Sequence, residues 1–421
     1  MKPKTFLKKS QTKKRKHDNI FIHTIGSTKI MNPAASLALA QDFMNEFAAQ
    51  TGLDPAGSHP KCYLWTDAFA VCNYLGFFES TGNTAYRDLA LRLIDQVHHT
   101  LGRFRDDDPR TGWISGLSPT EGDLHPTAGG LRIGKILPER SPDEPIDEQQ
   151  EWDRDGQYFH YLTKWMYALT CTSRVMGNKD YLLWAVELAR TANARFTFFP
   201  PGSQKKRMSW KMSVDLTRPL VFSMGQHDPL DGFVTYNELQ QAAYKYPGDI
   251  PVKVLAAEIA DITGICQGIS MATDDPLGIG GLLCDALRIS NLATQGGPLY
   301  TSLLETILDA ALNGLEIVAG SGLLDAPARY RLAFRELGLS IGLVAVERLP
   351  LKIRENPALH KKKDSLEPPI QAILGYLPFR EQIEEFWLED ANRETGTWKN
   401  HQDINGVMLA TSLAPDGFLT G

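Results

Sequence analysis

The chain has 421 residues, 43% of them hydrophobic, with a formal net charge of −6, so it can bury a large core as one big domain or two. No uninterrupted apolar run approaches the roughly 20 residues that a membrane-spanning helix needs. The five cysteines (62, 72, 171, 266 and 284) are scattered, none in a CxxC pair, which argues against a disulfide or zinc framework and for reduced thiols in a cytoplasmic protein.

The first 16 residues carry eight Lys or Arg and no acid, which leaves 36 basic residues against 50 acidic in the rest, a charge of about −14. Residues 1–32 read as a basic, disordered tail whose one expected contact is nonspecific, with nucleic acid or an anionic surface. A signal peptide is excluded because Ile20 to Ile30 is broken by His23, Gly26 and Lys29.

From residue 33 onward one helix follows another. Ser36 to Gln50 forms the first. Ala68 to Phe78 is apolar nearly all round, as in a helix enclosed by others. The segment Gly82-Asn83-Thr84-Ala85-Tyr86 then breaks the chain and opens a helix with one buried face, carried by Tyr86, Leu89, Ala90, Leu93, Ile94, Val97 and Leu101. The phrase returns as Gly177-Asn178-Lys179-Asp180-Tyr181, followed by Trp184, Ala185 and Leu188. Such repetition is the signature of a stacked helical-hairpin architecture.

Inner, enclosed helices are predicted to start near Asp67, Asp155, Asp231, Pro276, Tyr330 and Asp403. Outer helices are predicted near Tyr86, Tyr181, Val252, Leu299 and Leu366. Breakers fall between them at Gly82, Gly177, Pro247-Gly248, Gly296-Gly297-Pro298 and Pro368-Pro369. With Ser36–Gln50 pairing on the last inner helix, the expectation is an all-α (α/α)6 toroid over residues 33–421. Long insertions at 103–151 and 199–230 interrupt it. The first, with Trp113, Glu121, His125, Gly129-Gly130, Arg132 and Lys135, reads as a functional loop over a site. In the second, Arg207 to Val214 alternates like a short hairpin. Gly129 to Gly134 follows no strand and so is no phosphate loop. Gly116-Leu117-Ser118-Pro119 lacks the trailing glycine of a nucleophile elbow.

In a ring of hairpins the inner helices run alike, so the residues just before each one face a common funnel. Collected, these are Trp65 and Asp67; Trp152, Asp153, Asp155 and Gln157; Gln226, His227, Asp228 and Asp231; Asp274 and Asp275; Trp398, His401 and Asp403. Indoles that stack on a sugar ring beside carboxylates that serve as acid, base or nucleophile make a carbohydrate site. One Asp per helix is also what N-capping provides. Capping leaves the second acid unexplained where Asp153 accompanies Asp155 and Asp228 accompanies Asp231, and the surplus acid is the catalytic candidate.

The reading is a hydrolase acting on a short oligosaccharide. Asp155 and Asp228 form the acid/base pair, with Asp153 and Asp231 as the alternates. Asp67, Gln157, His227, His401, Asp403 and His125 bind hydroxyls, and Trp65 and Trp152 stack. It requires no cofactor and no metal, since His227, Asp228, Asp231, His401 and Asp403 lack compact metal-ligand spacing. A small carbohydrate is the expected partner and a membrane is not. Nothing in the sequence sets an oligomeric state.

These helix starts, and the turn-plus-outer-helix phrases at 81–95 and 176–190, resemble the six-hairpin glycosidase superfamily. That resemblance implies an (α/α)6 barrel with its active site at the funnel mouth. The nearest likeness is to unsaturated glucuronyl and rhamnogalacturonyl hydrolases. It implies one catalytic Asp at the start of the second inner helix (Asp153 or Asp155) and another at the third (Asp228 or Asp231). This chain opens its second inner helix Asp153-Arg154-Asp155-Gly156-Gln157, where those enzymes have a His-Asp-Leu-Gly-Phe type of start. The shape also resembles the sugar 2-epimerases, which use two histidines for proton transfer. By that likeness His227 and His401 face one another, with His125 or His160 joining them. A non-catalytic sugar-binding toroid is the third reading.

Overall fold

Local capping builds the hairpins. In the computed structural model, which describes residues 32–251 and 253–420, helices Leu64–Thr81 and Thr84–Leu101 are separated by Gly82 and Asn83. Gly82 closes the first in the left-handed region (φ 70°), and the Asn83 side chain accepts the Ala85 N–H at 3.0 Å. The second copy repeats this device between Phe159–Met176 and Lys179–Phe196. There Gly177 has φ 64° and Asn178 accepts the Asp180 N–H at 2.9 Å. Left-handed backbone is nearly free for glycine and costs other residues. Each Asn satisfies a donor that the helix start leaves open.

Six inner helices pack side by side in a closed ring: Leu64–Thr81, Phe159–Met176, Asp228–Ala243, Pro276–Thr294, Ala333–Glu355 and Gln402–Leu413, the last returning to the first. Outer helices Thr84–Leu101, Lys179–Phe196, Ala256–Cys266 and Thr301–Ser321 each back the inner helix before them. The pair Lys363–Leu374 and Pro378–Leu388 backs the fifth. Pro33–Thr51 lies on the sixth and completes the outer layer. The architecture is the all-α (α/α)6 toroid expected from the sequence. The expected outer-helix start at Val252, and the basic tail apart from Asn32, lie outside the described residues.

Burial follows position in the ring. The first inner helix is buried from Leu64 to Leu75 without a break, whereas its outer partner buries only the stripe that includes Leu89, Leu93, Ile94 and Val97. The fourth and fifth inner helices meet backbone to backbone. A methyl group at Gly280 would stand 2.0 Å from the Gly338 carbonyl oxygen, and one at Gly342 would stand 2.6 Å from the Gly280 Cα. Trp165 and Trp387 are fully buried. Their indole N–H groups donate to His98 Nε2 at 3.1 Å and to Glu336 Oε2 at 2.8 Å, so neither buried indole leaves its donor unpaired.

Two local expectations are corrected. Pro368 and Pro369 lie inside helix Lys363–Leu374 and do not break it. Each loses one backbone hydrogen bond, and burial of Leu366, Ile370 and Ile373 holds the segment in place. Arg207 to Val214 does not fold back on itself. Arg207–Met208 pairs with Thr197–Phe198, while Lys211–Met212 pairs with both Gln157–Tyr158 and Pro219–Val221. Among the described residues no helix is long and apolar enough to cross a membrane, and the five cysteines are free thiols.

Candidate functional site

A cavity of about 1930 Å³ opens at one end of the ring. Five of the six inner helices contribute residues from their first turns. These are Trp65 and Asp67, His160 and Tyr161, Leu277, Phe334 and Arg335, and Gln402 with Asp403. Trp152, Asp153, His401, Lys399, the segment Ser58–Tyr63 and two stretches of the first insertion, Arg103–Asp107 and Gly134–Leu137, also line it. The third inner helix contributes no residue to the wall, and Asp228 at its start meets a wall residue at His160, 3.5 Å away.

The expected catalytic acids fall in different places. Asp155 does not line the cavity. It is fully buried, its Oδ2 2.5 Å from Arg132 Nη1 and its Oδ1 accepting the Gly134 and Lys135 N–H groups at 3.0 and 3.4 Å. Asp231 accepts from Lys164 Nζ at 2.6 Å and from Thr163 Oγ1 at 3.4 Å inside the ring, also away from the cavity. Asp228 is buried, with its Oδ1 3.5 Å from His160 Nδ1. Its Oδ2 and the His160 Nδ1 have no hydrogen-bond partner. Asp153 is exposed on the cavity wall.

The expected binding residues also divide. Trp65, Asp67, Trp152, His401 and Asp403 come together at the cavity. Gln157 is fully buried and pins the loops, accepting the Leu131 N–H at 2.8 Å and donating to the Gly129 and Val214 carbonyls at 3.0 and 2.7 Å. His227 holds the Met271 carbonyl at 3.1 Å, and His125 is exposed beside Glu187 at 2.8 Å; neither lines the cavity. Among the described residues, no three His, Cys, Asp or Glu side chains gather as a metal ion would require.

Several wall residues carried little signal in the sequence. Tyr63 and Tyr161 share a 2.6 Å hydroxyl–hydroxyl hydrogen bond. Tyr158 is sandwiched between His160 and Trp210, with ring centroids 5.4 and 4.8 Å away. Trp210 in turn meets the exposed Trp152 at 4.9 Å, so aromatic faces run from the mouth to His160. The run Tyr158-Phe159-His160-Tyr161 at a helix start was the available clue.

Electrostatics sort the titratable groups. Burial holds the Asp67 carboxyl well above the usual carboxylate range, helped by the nearby Asp403 charge and opposed by the Tyr63 N–H that it accepts at 2.9 Å. Asp403 is raised by burial and by Glu46, with Lys61 opposing. His401 is lowered by burial and by the Lys135 charge, against Asp153. At neutral pH its ring is therefore unprotonated. The cavity thus offers an imidazole with a lowered pKa, a carboxyl with a raised one, a second imidazole beside a buried aspartate and several aromatic faces.

No protein-family model matches the chain, and no curated protein matches it. Among solved structures it is similar to a sugar epimerase from a ruminal bacterium, at 12% identity and TM-score 0.46, over 91% of this chain and 98% of that one. It is also similar to the cellobiose 2-epimerase of Spirochaeta thermophila DSM 6192, at 12% identity and TM-score 0.43, over 89% of this chain and 97% of that one. The cellobiose 2-epimerase of Bacillus thermoamylovorans B4167 is similar at 12% identity and TM-score 0.42, over 81% and 87% of the two chains.

Proposed function

We propose that the chain is a carbohydrate-active enzyme that epimerises or isomerises a sugar by proton transfer, with His401 and His160 as the transferring groups. The observation that carries this reading is the wall itself. Two imidazoles line one cavity from different helix starts, and one of them is backed by the buried Asp228 at 3.5 Å. The neutral His401 takes the proton from a carbon next to the carbonyl of an open-chain sugar. The bonding electrons move to the carbonyl oxygen and give an enediolate. His160, with the Asp228 carboxyl 3.5 Å from its Nδ1, returns a proton to the opposite face of the same carbon, or to its neighbour. Trp65 and the exposed Trp152 supply flat apolar faces for pyranose rings.

A second reading, glycoside hydrolysis, is favoured by one observation. Asp67, whose carboxyl burial pushes up, and the exposed Asp153 lie in the same cavity, the pairing of carboxyls that hydrolysis needs. Incubating the protein with a sugar panel in deuterated water separates the two. Epimerisation or isomerisation predicts deuterium at the carbon next to the anomeric centre with every glycosidic bond intact. His160→Gln and His401→Gln should each lower the rate by roughly two to four orders of magnitude. Bond cleavage without label incorporation, lost in Asp67→Asn, would replace this reading with hydrolysis.

A further inference from the structure

Lys135 is held by its backbone and left free at its charge. Its N–H donates to the buried Asp155 at 3.4 Å, and its carbonyl accepts from Arg105 Nη1 at 2.7 Å. Both clamps are themselves fixed. Arg132 locks Asp155 from the far side while donating to the Arg103 and Thr100 carbonyls at 2.8 and 2.7 Å. Arg105 is held bidentate by Asp107 at 2.7 and 2.8 Å. A buried ion pair that also collects two consecutive peptide N–H groups costs desolvation, and here it fixes the strip Gly134–Leu137 against the cavity.

The lysine ammonium has no carboxylate within 4.0 Å among the described residues and lies 5.3 Å from the centre of the Tyr63 ring. Of the other wall cations, Arg132 is paired with Asp155, Arg105 with Asp107, Arg335 with Asp275 and Lys399 with Glu394, while Lys61 and Arg103, like Lys135, have no carboxylate within 4.0 Å among the described residues. The Nε of Arg335 is nonetheless without a hydrogen-bond partner. Lys135 thus presents an uncompensated positive charge inside a cavity, on a molecule whose body carries about −14. A cation so placed favours a ligand that brings its own negative charge, since a charge-assisted hydrogen bond in a half-enclosed site far exceeds its worth in open water.

We infer that Lys135 is an anion-recognising residue of the funnel, and that the favoured substrate is a sugar bearing an anionic substituent, a carboxylate or a phosphate. The inference rests on the cavity being a sugar site, but not on the reaction carried out there. Titration calorimetry with glucose, glucuronate and glucose 6-phosphate, on the intact chain and on Lys135→Met and Lys135→Arg, tests it. At least one anionic sugar should bind about tenfold or more tightly than glucose. That preference should vanish in Lys135→Met, survive in Lys135→Arg, and weaken as salt is raised. Whichever anionic sugar binds identifies the substituent.

Equal affinity for all three sugars overturns the inference. So does an equal loss of glucose and anionic-sugar binding in Lys135→Met, or the absence of measurable binding by either anionic sugar. Circular dichroism establishes that the methionine variant is folded. Deuterium exchange into neutral sugars without any anionic preference would sink this inference and leave the proposed reaction standing. An anionic preference without exchange would do the reverse.

Discussion

Asp155 and Asp228 carry the same side chain in opposite surroundings, and substitution by asparagine should separate their roles. Asp155→Asn leaves Arg132 buried without its counter-charge, which costs about 3–5 kcal/mol, and urea unfolding should show a midpoint lowered accordingly. Asp228 has no ion-pair partner other than His160 among the described residues. Asp228→Asn should therefore change stability by less than about 1 kcal/mol while lowering kcat by roughly two orders of magnitude or more, because the His160 ring loses the carboxylate beside it. The sequence placed both acids at inner-helix starts, and they are there. It did not show that the second start approaches the cavity through His160, two residues beyond Tyr158, while Asp155 turns away beneath the insertion. Which side of a helix start meets the funnel depends on the packing of neighbouring elements, and no local pattern encodes it.

The hairpin is the unit in which the sequence is most readable. Gly82 and Gly177, and Asn83 and Asn178, act within a few residues of themselves, so the glycine-asparagine phrase and the 3.6-residue apolar stripe suffice to locate the helices. Matched substitutions should have matched effects. Gly82→Ala and Gly177→Ala each place a Cβ in left-handed backbone at about 1 kcal/mol, with no neighbour within 4 Å to add a clash. Asn83→Ala and Asn178→Ala each lose a cap at about 1 kcal/mol. Thermal unfolding of the four variants checks this; a loss confined to one copy would show that the two turns are not equivalent. The insertions were unreadable for the opposite reason. Arg110 joins Asp108, Glu139 and Asp215 at 2.8, 2.7 and 2.9 Å, and Arg140 joins Glu151 at 3.1 Å. These ties span up to 105 residues and leave no periodicity behind.

Across the whole molecule, buried charge gives stability two opposing pH dependences. Inside the ring, Asp231, Glu238 and Asp285 surround Lys164 and Arg288, with Arg288 3.0 Å from Asp285 and 3.8 Å from Asp231. Burial and the Asp231 charge push the Asp285 carboxyl up to about 7. Its raised folded pKa contributes stability that is complete below the ordinary aspartate range and lost as pH rises through about 7. His98, buried against Trp165, is pushed down from 6.5 to about 3 by burial and by His99. Its contribution is present above pH 6.5 and is lost as pH falls toward 3. Urea midpoints measured across this range should therefore decline more steeply on acidification in Asp285→Asn and less steeply in His98→Phe. Unchanged slopes in both would mean that neither group titrates differently on folding.

The joining of Pro33–Thr51 to Gln402–Leu413 has a consequence for biosynthesis. Asn73 on the first inner helix bonds Thr411 at 3.0 Å, and a methyl at Gly76 would stand 2.5 Å from the Gly417 Cα. These contacts have no counterpart until translation reaches the final hairpin. Until residues 402–413 emerge, a nascent chain leaves the apolar flanks of its first and fifth inner helices uncovered. The interval before they emerge is therefore the one most in need of chaperone protection.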